Sequence, residues 1–363
     1  MLTINTKEFE SALLKCSKFT YKKATLKILE GVKIEYLNNI CTMVATNLEN
    51  TIVVKLNSAV SDSNIEFVLM DIASIGKVSK FFTDNISFDL GGDAIAVSSG
   101  NKTIKGKFID SSEFPIIMSL DKMKIIASNN VNGLSFDKLY SKMKHAISND
   151  NARPLLTGIH FDKDFIATSN GFVISKFANN IIDANFTIRQ DSVKSFNLIG
   201  DGVLSIGYFY NDQNDQFYFF TDNNITLYGR LLTGVFPNIN QVIPDSSKEH
   251  ESFEIDGKDI IESLDFLIGL GAEFVKIDGN KIIGIGEYKN DKDIAEVEIK
   301  NLNVNMAFGF NPKYVRDAIK EQMQSKTVKF DIFSSRSPFT ITSSDDNNKD
   351  SGLFICMPMA IGY

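Results

Sequence analysis

The sequence predicts an α+β protein built from three repeated units, and two observations carry this prediction. Short segments recur at a nearly constant spacing: Phe114-Pro115 is followed 122 positions later by Phe236-Pro237, and Pro358 lies 121 positions beyond Pro237. Between isolated helical segments lie many short runs of alternating apolar and polar residues, which are typical of strands with one buried face. Strands grouped between single helices favour α+β layering over a doubly wound parallel sheet.

Each unit is predicted to contain two helices. The first helices begin near Thr6, Ser135 and Asp256, which are residue types that cap helix N-termini, and their apolar residues recur every three to four positions. The second helices are predicted over residues 72–82, 190–199 and 312–322. Pro312 suits the first turn of a helix, where its missing N–H costs nothing.

Strands are predicted wherever apolar residues occupy every second position, as in residues 32–36 and 328–332. Each unit then spans roughly 120 residues, which is a usual size for a domain. The predicted domains are residues 1–127, 128–246 and 247–363, with boundaries placed in polar stretches.

Composition indicates a cytoplasmic globular protein. Of the 363 residues, 43% are apolar and 23% are charged, and no apolar run is long enough to span a membrane. The first residues lack a secretory signal. Cys16, Cys41 and Cys356 are odd in number and widely spaced, so we expect buried thiols and no disulfide. The net charge of −7 argues against a surface that is basic all over but allows a local basic stripe.

The sequence contains no pattern that predicts an enzyme. It has no Gly-rich phosphate-binding loop, and its carboxylates form no unambiguous catalytic pair. The three histidines His145, His160 and His250 lack metal-ligand spacing. We therefore expect no catalytic residue, no cofactor and no metal.

A set of short motifs, taken with the three repeats, resembles the bacterial DNA polymerase III β subunit, which is the replicative sliding clamp. The motifs are Arg153 before Leu156 and Gly158, Ala167-Thr168, Gly234-Val235-Phe236-Pro237 before Val242 and Pro244, Gly309-Phe310-Asn311 with Tyr314, and Met357-Pro358-Met359. The resemblance covers the whole chain.

The resemblance implies three clamp-type domains, each with outer β-sheets and two inner helices. In that family two copies join head to tail, through their first and third domains, into a ring around double-stranded DNA. The implied partners are DNA, a DNA polymerase, a clamp loader and a second copy of the chain, with no membrane partner.

The resemblance also implies sequence-independent phosphate contacts by basic residues that line the ring. The candidates are Lys22, Lys23, Lys77, Lys80, Lys142, Lys144, Arg189, Lys194, Arg316 and Lys320. An ordinary solvated helix surface is the alternative explanation for these charges. The third-unit helix that carries Asp259, Glu262 and Asp265 is acidic and departs from the pattern.

Partner proteins of the family insert a short peptide, often with Gln and bulky apolar residues, into a groove on the middle and last domains. Carried over by position, the groove residues are Arg153, Leu156, Thr168, Gly171, Val173, Pro237, Gln241, Val242, Asn311, Tyr314, Arg336, Ile355, Met357, Pro358 and Met359. Leu156, Val173 and Val242 also fit a plain core. Gly171-Phe172 stand where the family often has a polar-basic pair, and Gly362-Tyr363 extend past the family's usual end.

Two other functions stay open at the level of sequence. A monomeric adaptor with the clamp fold that does not encircle DNA would explain the uneven basic residues. A small-molecule hydrolase built on β repeats has less support, because no nucleophile and base are visible.

Overall fold

The computed structural model describes residues 1–92, 94–118, 124–130, 136–193, 205–210, 215–222, 224–286, 294–323, 326–344 and 352–360. The chain forms two compact units. The first unit comprises Met1–Ser135 and Ser195–Leu231, and the second comprises Phe136–Lys194 and Leu232–Tyr363. The boundaries of the three predicted repeats stay a prediction.

The first unit contains two antiparallel sheets. A five-stranded sheet has the order β5-β1-β7-β8-β9, and a nine-stranded sheet has the order β10-β6-β2-β3-β4-β18-β17-β16-β11. The strands of the first sheet are β1 (Leu2–Asn5), β5 (Val60–Ser61), β7 (Asn85–Gly91), β8 (Ala94–Ser99) and β9 (Lys102–Gly106). Those of the second are β2 (Val32–Leu37), β3 (Ile40–Thr46), β4 (Asn50–Leu56), β6 (Ile65–Leu69), β10 (Phe108–Ile109), β11 (Lys124–Asn130), β16 (Ser205–Tyr210), β17 (Gln216–Thr221) and β18 (Ile225–Arg230).

The second unit contains an eight-stranded sheet in the order β15-β12-β13-β14-β26-β25-β24-β19 and a four-stranded sheet in the order β22-β21-β20-β23. The strands of the larger sheet are β12 (Gly158–Phe161), β13 (Phe165–Ser169), β14 (Val173–Ala178), β15 (Phe186–Arg189), β19 (Glu251–Asp256), β24 (Thr327–Ile332), β25 (Phe339–Ser343) and β26 (Leu353–Cys356). Those of the smaller sheet are β20 (Phe274–Gly279), β21 (Lys281–Ile285), β22 (Ile294–Glu298) and β23 (Val304–Phe310).

The described helices begin where the sequence predicts them. The first unit holds α1 (Thr6–Cys16) and α2 (Ile72–Val78), and the second holds α3 (Phe136–Met143), α4 (Gln190–Val193), α5 (Gly257–Gly269) and α6 (Pro312–Asp317). A π-helical segment, Ala318–Met323, continues α6. The part of the second-helix prediction that covers residues 194–199 lies outside the described residues.

Side-chain oxygens cap the N-termini of α1 and α5, and at α1 the capping residue differs from the predicted one. The Asp256 carboxylate accepts hydrogen bonds from the backbone N–H groups of Lys258 and Asp259, so it caps α5 as predicted. The cap of α1 is Asn5 and not Thr6, because the Asn5 side chain accepts from the N–H groups of Lys7 and Glu8. Thr6 is buried instead.

The alternating strands bury one face each, and the three cysteines lie in the cores. In β2 the side chains of Val32, Ile34 and Tyr36 are buried, as their spacing predicts. Cys16, Cys41 and Cys356 are free and buried, and burial raises the pKa of the Cys41 thiol to about 12. The α+β prediction is confirmed. No helix among the described residues is long and apolar enough to cross a membrane.

Candidate peptide-binding groove and basic surfaces

The last strand of the chain is fixed by backbone hydrogen bonds on both sides, and this fixes the Met357-Pro358-Met359 segment. Strand β26 pairs with β14 and β25. Beyond the strand, the Met357 N–H donates to the Phe172 carbonyl at 2.9 Å, and the Met359 N–H donates to the Gly309 carbonyl at 2.8 Å. The segment is therefore held by the backbone, and both methionine side chains are left more than a third exposed.

The β14–β26 pair separates two apolar clusters. Val173 is paired with Cys356, and both side chains are buried in the large core that also contains Phe310 and Phe354. Because successive side chains of a strand point to opposite faces, Ile174 and Ile355 face the other way. They form a smaller cluster with Leu155, Leu156, Phe165, Ala167, Phe236, Ile239, Ile243 and Leu353. This smaller cluster contains Leu156 and Ile355, and we take it as the apolar floor of the candidate groove.

A tight turn brings the chain into β14 at one end of the groove. The Asn170 side-chain oxygen accepts hydrogen bonds from the N–H groups of Phe172 and Val173 at 2.9 and 3.0 Å. The Ser169 hydroxyl donates to the Val173 carbonyl at 2.8 Å and accepts from the Gly171 N–H at 3.1 Å. Such local side-chain bonds replace ladder bonds and specify the turn.

Glycine is required at position 171 for two reasons. Its φ angle of +93° lies in the left-handed region, and a Cβ atom added there would lie 2.6 Å from Nη1 of Arg153. The Arg153 guanidinium thus lies against the turn, while its Nε donates to the Asp150 carboxylate at 2.9 Å. The Arg153 guanidinium therefore packs against the Gly171 backbone, where no side chain intervenes.

The residues of the candidate groove differ in exposure. The exposed residues are Arg153, Gly171, Pro237, Gln241, Val242, Arg336, Met357 and Met359, and Asn311, Tyr314 and Pro358 are half-buried. Leu156 and Ile355 are buried in the apolar floor. Asn311 caps α6, since its side chain accepts from the Lys313 N–H.

Two of the residues carried over to the groove do not form its surface. Val173 is 1% exposed and packs in the large core on the opposite face of the sheet. Thr168 is fully buried, and its hydroxyl donates to the Met143 carbonyl at 3.0 Å. Both side chains face the core behind the candidate groove.

Sequence reasoning omitted Phe172, which is the most exposed aromatic side chain at the groove, at 58%. The Met357 N–H bonds to the Phe172 carbonyl, and the adjoining residues Val173 and Cys356 are paired. Phe172 and Met357 are therefore cross-strand neighbours on the same face as Ile174 and Ile355. The sequence feature that could have pointed to Phe172 is Gly171-Phe172 itself, which stands where the family often has a polar-basic pair.

Two histidines of the second unit, the buried His160 and the half-buried His145, have their rings packed against aromatic side chains. The His160 ring stacks on Phe236, with the ring centres 4.2 Å apart and the planes 3° from parallel, and its Nδ1 lies 2.9 Å from the Thr187 hydroxyl. The His145 ring packs 5.6 Å from Phe354. Burial lowers the pKa of each imidazole to about 4. His160 thus positions Phe236, the residue before Pro237.

The basic candidates for DNA contact differ in how far other residues neutralise them. Lys22, Lys23, Lys77, Lys80 and Lys320 are exposed, and no salt bridge among the described residues engages them. Arg316 is paired with Asp265 at 3.1 Å and Asp317 at 2.7 Å, and Lys144 with Glu321 at 3.2 Å.

The remaining basic candidates are less exposed or are not described. The Lys142 ammonium lies 5.9 Å from the centre of the Phe177 ring, and Arg189 is half-buried at the end of β15. Lys194 lies outside the described residues, as do Gly362 and Tyr363. All of these DNA contacts stay predictions.

The chain is similar over its whole length to β sliding clamps. The β sliding clamp of Streptococcus pneumoniae is 24% identical over 378 aligned positions, which cover 94% of this chain and 95% of that protein. The β sliding clamp of Lactococcus lactis is 21% identical over 385 positions, with 96% of each chain covered. No protein-family model matches the chain.

Solved structures share the fold. The DNA polymerase III β subunit of Thermotoga maritima superposes with a TM-score of 0.80 at 23% identity, and the match covers 100% of both chains. A sliding clamp of Pseudomonas aeruginosa bound to griselimycin superposes with a TM-score of 0.79 at 15% identity, covering 99% of each. The resemblance inferred from the sequence is confirmed, and the fold is the three-domain sliding-clamp fold.

The lowered pKa values of His145 and His160 predict a loss of stability in mild acid. Their pKa values are about 4 in the folded chain and 6.5 when exposed, so the unfolded chain binds more protons between these values. The free energy of unfolding should be highest above pH 6.5 and fall as the pH drops to 4, by up to about 3 kcal/mol for each histidine. Urea unfolding at pH 7.0, 5.5 and 4.5 measures this fall. His160→Phe should remove about half of it, and an unchanged slope in that variant would contradict the assignment.

The backbone at Gly171 predicts a position-specific cost for alanine. Gly171→Ala should lower the free energy of unfolding by roughly 1–3 kcal/mol, because it combines a left-handed φ with a contact on Arg153. Gly269→Ala is the matched control, since an added Cβ there has no atom within 4 Å. Equal stability of the two variants in urea unfolding would show that the turn relaxes freely.

Proposed function

We propose that this chain is a DNA sliding clamp, a processivity factor that encircles duplex DNA as a homodimer and tethers a polymerase. The observation that carries the proposal is the extent of the similarity, which covers 94–96% of this chain and 95–96% of the β sliding clamps. The groove adds support, because its apolar floor and exposed methionines suit capture of a peptide.

Ring closure needs two complementary surfaces on one chain, and the first unit offers a basic one. Strand β9 is the last strand of its sheet, so one edge of its backbone is unpaired within the described chain. Lys102 and Lys105 on this strand are exposed, and Lys107 follows directly. Phe81 lies beside it, because the Lys102 ammonium donates to the Phe81 carbonyl, and its ring is 69% exposed.

The second unit offers an acidic surface with an open hollow beside it. Strand β22 is the last strand of its sheet, and Glu296 and Glu298 on it are exposed. Both share one cation, Lys281, at 2.9 and 3.8 Å, so the pair keeps a net negative charge. Next to this strand, an open cavity of about 520 Å³ is lined by Asp259, Glu262, Ser263, Phe266, Val297, Glu298, Ile299 and Lys300. We propose that β9 of one copy adds to β22 of the other with Phe81 near the hollow. Head-to-tail contacts of this heterologous kind form a ring when the rotation between copies closes.

A clamp of this kind must hold DNA without reading its sequence. Phosphate contacts by lysine and arginine supply affinity that is independent of sequence and sensitive to salt. We propose that the exposed lysines Lys22, Lys23, Lys77, Lys80 and Lys320 supply most of these contacts. Arg316 and Lys144 contribute less, because carboxylates already neutralise them.

The proposed role is non-catalytic, and the proposed location is the cytoplasm. A polymerase and a clamp loader would use the groove in turn, and the ring itself would carry out no chemistry. The three free, buried cysteines fit a reducing compartment.

Encirclement predicts a topological link to DNA. The protein would be loaded with a clamp loader and ATP onto nicked circular DNA and washed at high salt. A closed ring should stay on the circle and leave after the DNA is cut once, because screening removes phosphate contacts but not the link. Equal loss from circular and linear DNA would exclude the ring and favour a monomeric adaptor.

The charged edges predict that assembly depends on opposite charges. In a mass measurement, wild type should form a species of twice 40.4 kDa. Lys102→Glu with Lys105→Glu, or Glu296→Lys with Glu298→Lys, should weaken the dimer at least about tenfold at low salt, and the fourfold variant should regain part of the loss. Lys55→Glu, an exposed lysine on β4, is the control. A wild-type dissociation constant in both double variants would reject this interface.

A further inference from the structure

The exposed methionines of the chain are concentrated near its C-terminal end. Among the methionines that the structure describes, the exposed ones are Met1, Met357 and Met359, at 63%, 39% and 37%. The others are buried or packed against apolar clusters: Met43, Met143 and Met323 are fully buried, and Met70, Met118 and Met306 are half-buried. Apart from the first residue, the exposed thioethers of the described chain are therefore the two that flank Pro358.

The cysteines are sheltered from the chemistry that reaches these methionines. Cys16, Cys41 and Cys356 are each at most 1% exposed. An oxidant attacks the thiolate form of cysteine, and burial raises the pKa of all three thiols, so little thiolate is present at neutral pH. A peroxide in solution therefore meets the exposed thioethers before it meets a reactive thiol.

The first repeat shows that the fold does not require methionine in this segment. After β18, the Arg230 N–H donates to a carbonyl of the turn before β4 at 3.1 Å, and the Leu232 N–H donates to the Thr187 carbonyl at 3.0 Å. These two bonds, two residues apart, repeat the bonds that fix Met357 and Met359 after β26. The backbone arrangement is thus kept with an arginine and a leucine in place of the two methionines.

Oxidation of the two methionines would change the surface of the segment and leave its backbone in place. The N–H groups that anchor the segment belong to the main chain, so their hydrogen bonds do not depend on the thioether side chains. A sulfoxide is polar where the thioether was apolar. Covering it with an apolar ligand removes water from its oxygen, which is unfavourable unless a new hydrogen bond forms.

We propose that hydrogen peroxide modifies the folded chain at Met357 and Met359, and that this oxidation switches off peptide capture. In each reaction a sulfur lone pair attacks one peroxide oxygen and the O–O bond breaks, which yields one sulfoxide and one water. The sulfur loses two electrons and the peroxide gains them. The inference rests on the proposed function, because it assigns a redox control to the candidate groove. A bound peptide would cover the methionines, so the free protein is the form that reacts.

The first measurement locates the modification. The full chain would be treated with hydrogen peroxide at neutral pH and digested at intervals, and mass spectrometry would follow the gain of about 16 Da at each methionine. Met357 and Met359 should be oxidised at least about tenfold faster than Met43, Met143 and Met323, because the latter are buried. Equal rates at the two groups would overturn the proposal.

The second measurement asks whether the modification acts on binding. Anisotropy titrations would use the fluorescein-labelled synthetic peptide Gln-Leu-Leu-Leu-Phe, and oxidised wild type should bind it at least about tenfold more weakly than untreated protein. Methionine sulfoxide reductases with dithiothreitol convert the sulfoxide back to the thioether, so they should restore the affinity. Saturating peptide should slow the oxidation of Met357 and Met359 and leave that of Met1 unchanged.

Matched variants separate oxidation of the groove from damage elsewhere. Met357→Leu combined with Met359→Leu conserves volume, so it should bind the peptide within about threefold of wild type and lose its sensitivity to peroxide. Met357→Gln combined with Met359→Gln places polar side chains there and should bind at least about tenfold more weakly without peroxide. Met70→Leu removes a half-buried methionine of the first unit and should stay as sensitive as wild type.

The outcomes distinguish this proposal from the proposed function. Unchanged affinity after both methionines are oxidised would overturn the switch and leave the groove and the clamp standing. Equal sensitivity of the leucine double variant and wild type would place the damage elsewhere and would also overturn it. If untreated wild type does not bind the peptide, the switch and the peptide groove both fail, while the circular-DNA assay still decides encirclement.

Discussion

The antiparallel pairing of β14 with β26 is the contact on which the rest of the site depends. It joins a strand of the middle part of the chain to its last strand, from Val173↔Cys356 to Lys176↔Leu353. One face of this pair completes the large core, and the other supplies Ile174 and Ile355 to the groove floor. A slip of one residue would exchange the two faces, so the buried core fixes the register and, through it, the exposed methionines.

The same ladder occurs in the first unit, where β4 pairs with β18. The turns before β4 and β14 also share their bonds. Asn47 accepts from the N–H groups of Glu49 and Asn50, as Asn170 does from those of Phe172 and Val173. The backbone arrangement is therefore the same at both turns although the exposed residues differ. The residues that differ include those at the end of each ladder, where Glu49 and Arg230 in the first unit correspond to Phe172 and Met357 in the second. An internal repeat thus provides a control that a single site does not, because it holds the local fold constant while the surface chemistry changes.

Features that depend on residue types and on residues close together in the sequence could be predicted from it. The helix starts, the cap at Asp256, the alternating strand β2 and the buried cysteines follow from spacing and residue type. The burial of Thr168 could not be predicted, and for Val173 the sequence left a core position and a groove position open. The choice depends on which face of β13 and β14 packs against residues distant in sequence. Phe172 was not among the predicted groove residues for a related reason. It becomes a cross-strand neighbour of Met357 only when β14 pairs with β26, which is far away in sequence.

The ion pairs in the second unit bear on how a clamp could hold DNA and still move. Each lysine or arginine that contacts a phosphate releases counterions and adds to the salt-dependent affinity. Arg316 is instead held by Asp265 and Asp317, and these bonds raise the pKa of its guanidinium while its charge is compensated inside the protein. Pairing of this kind lowers the number of effective phosphate contacts without making the surface apolar. In a topologically closed ring, retention on DNA does not depend on tight contacts, so a lining that is only partly basic favours sliding over stalling.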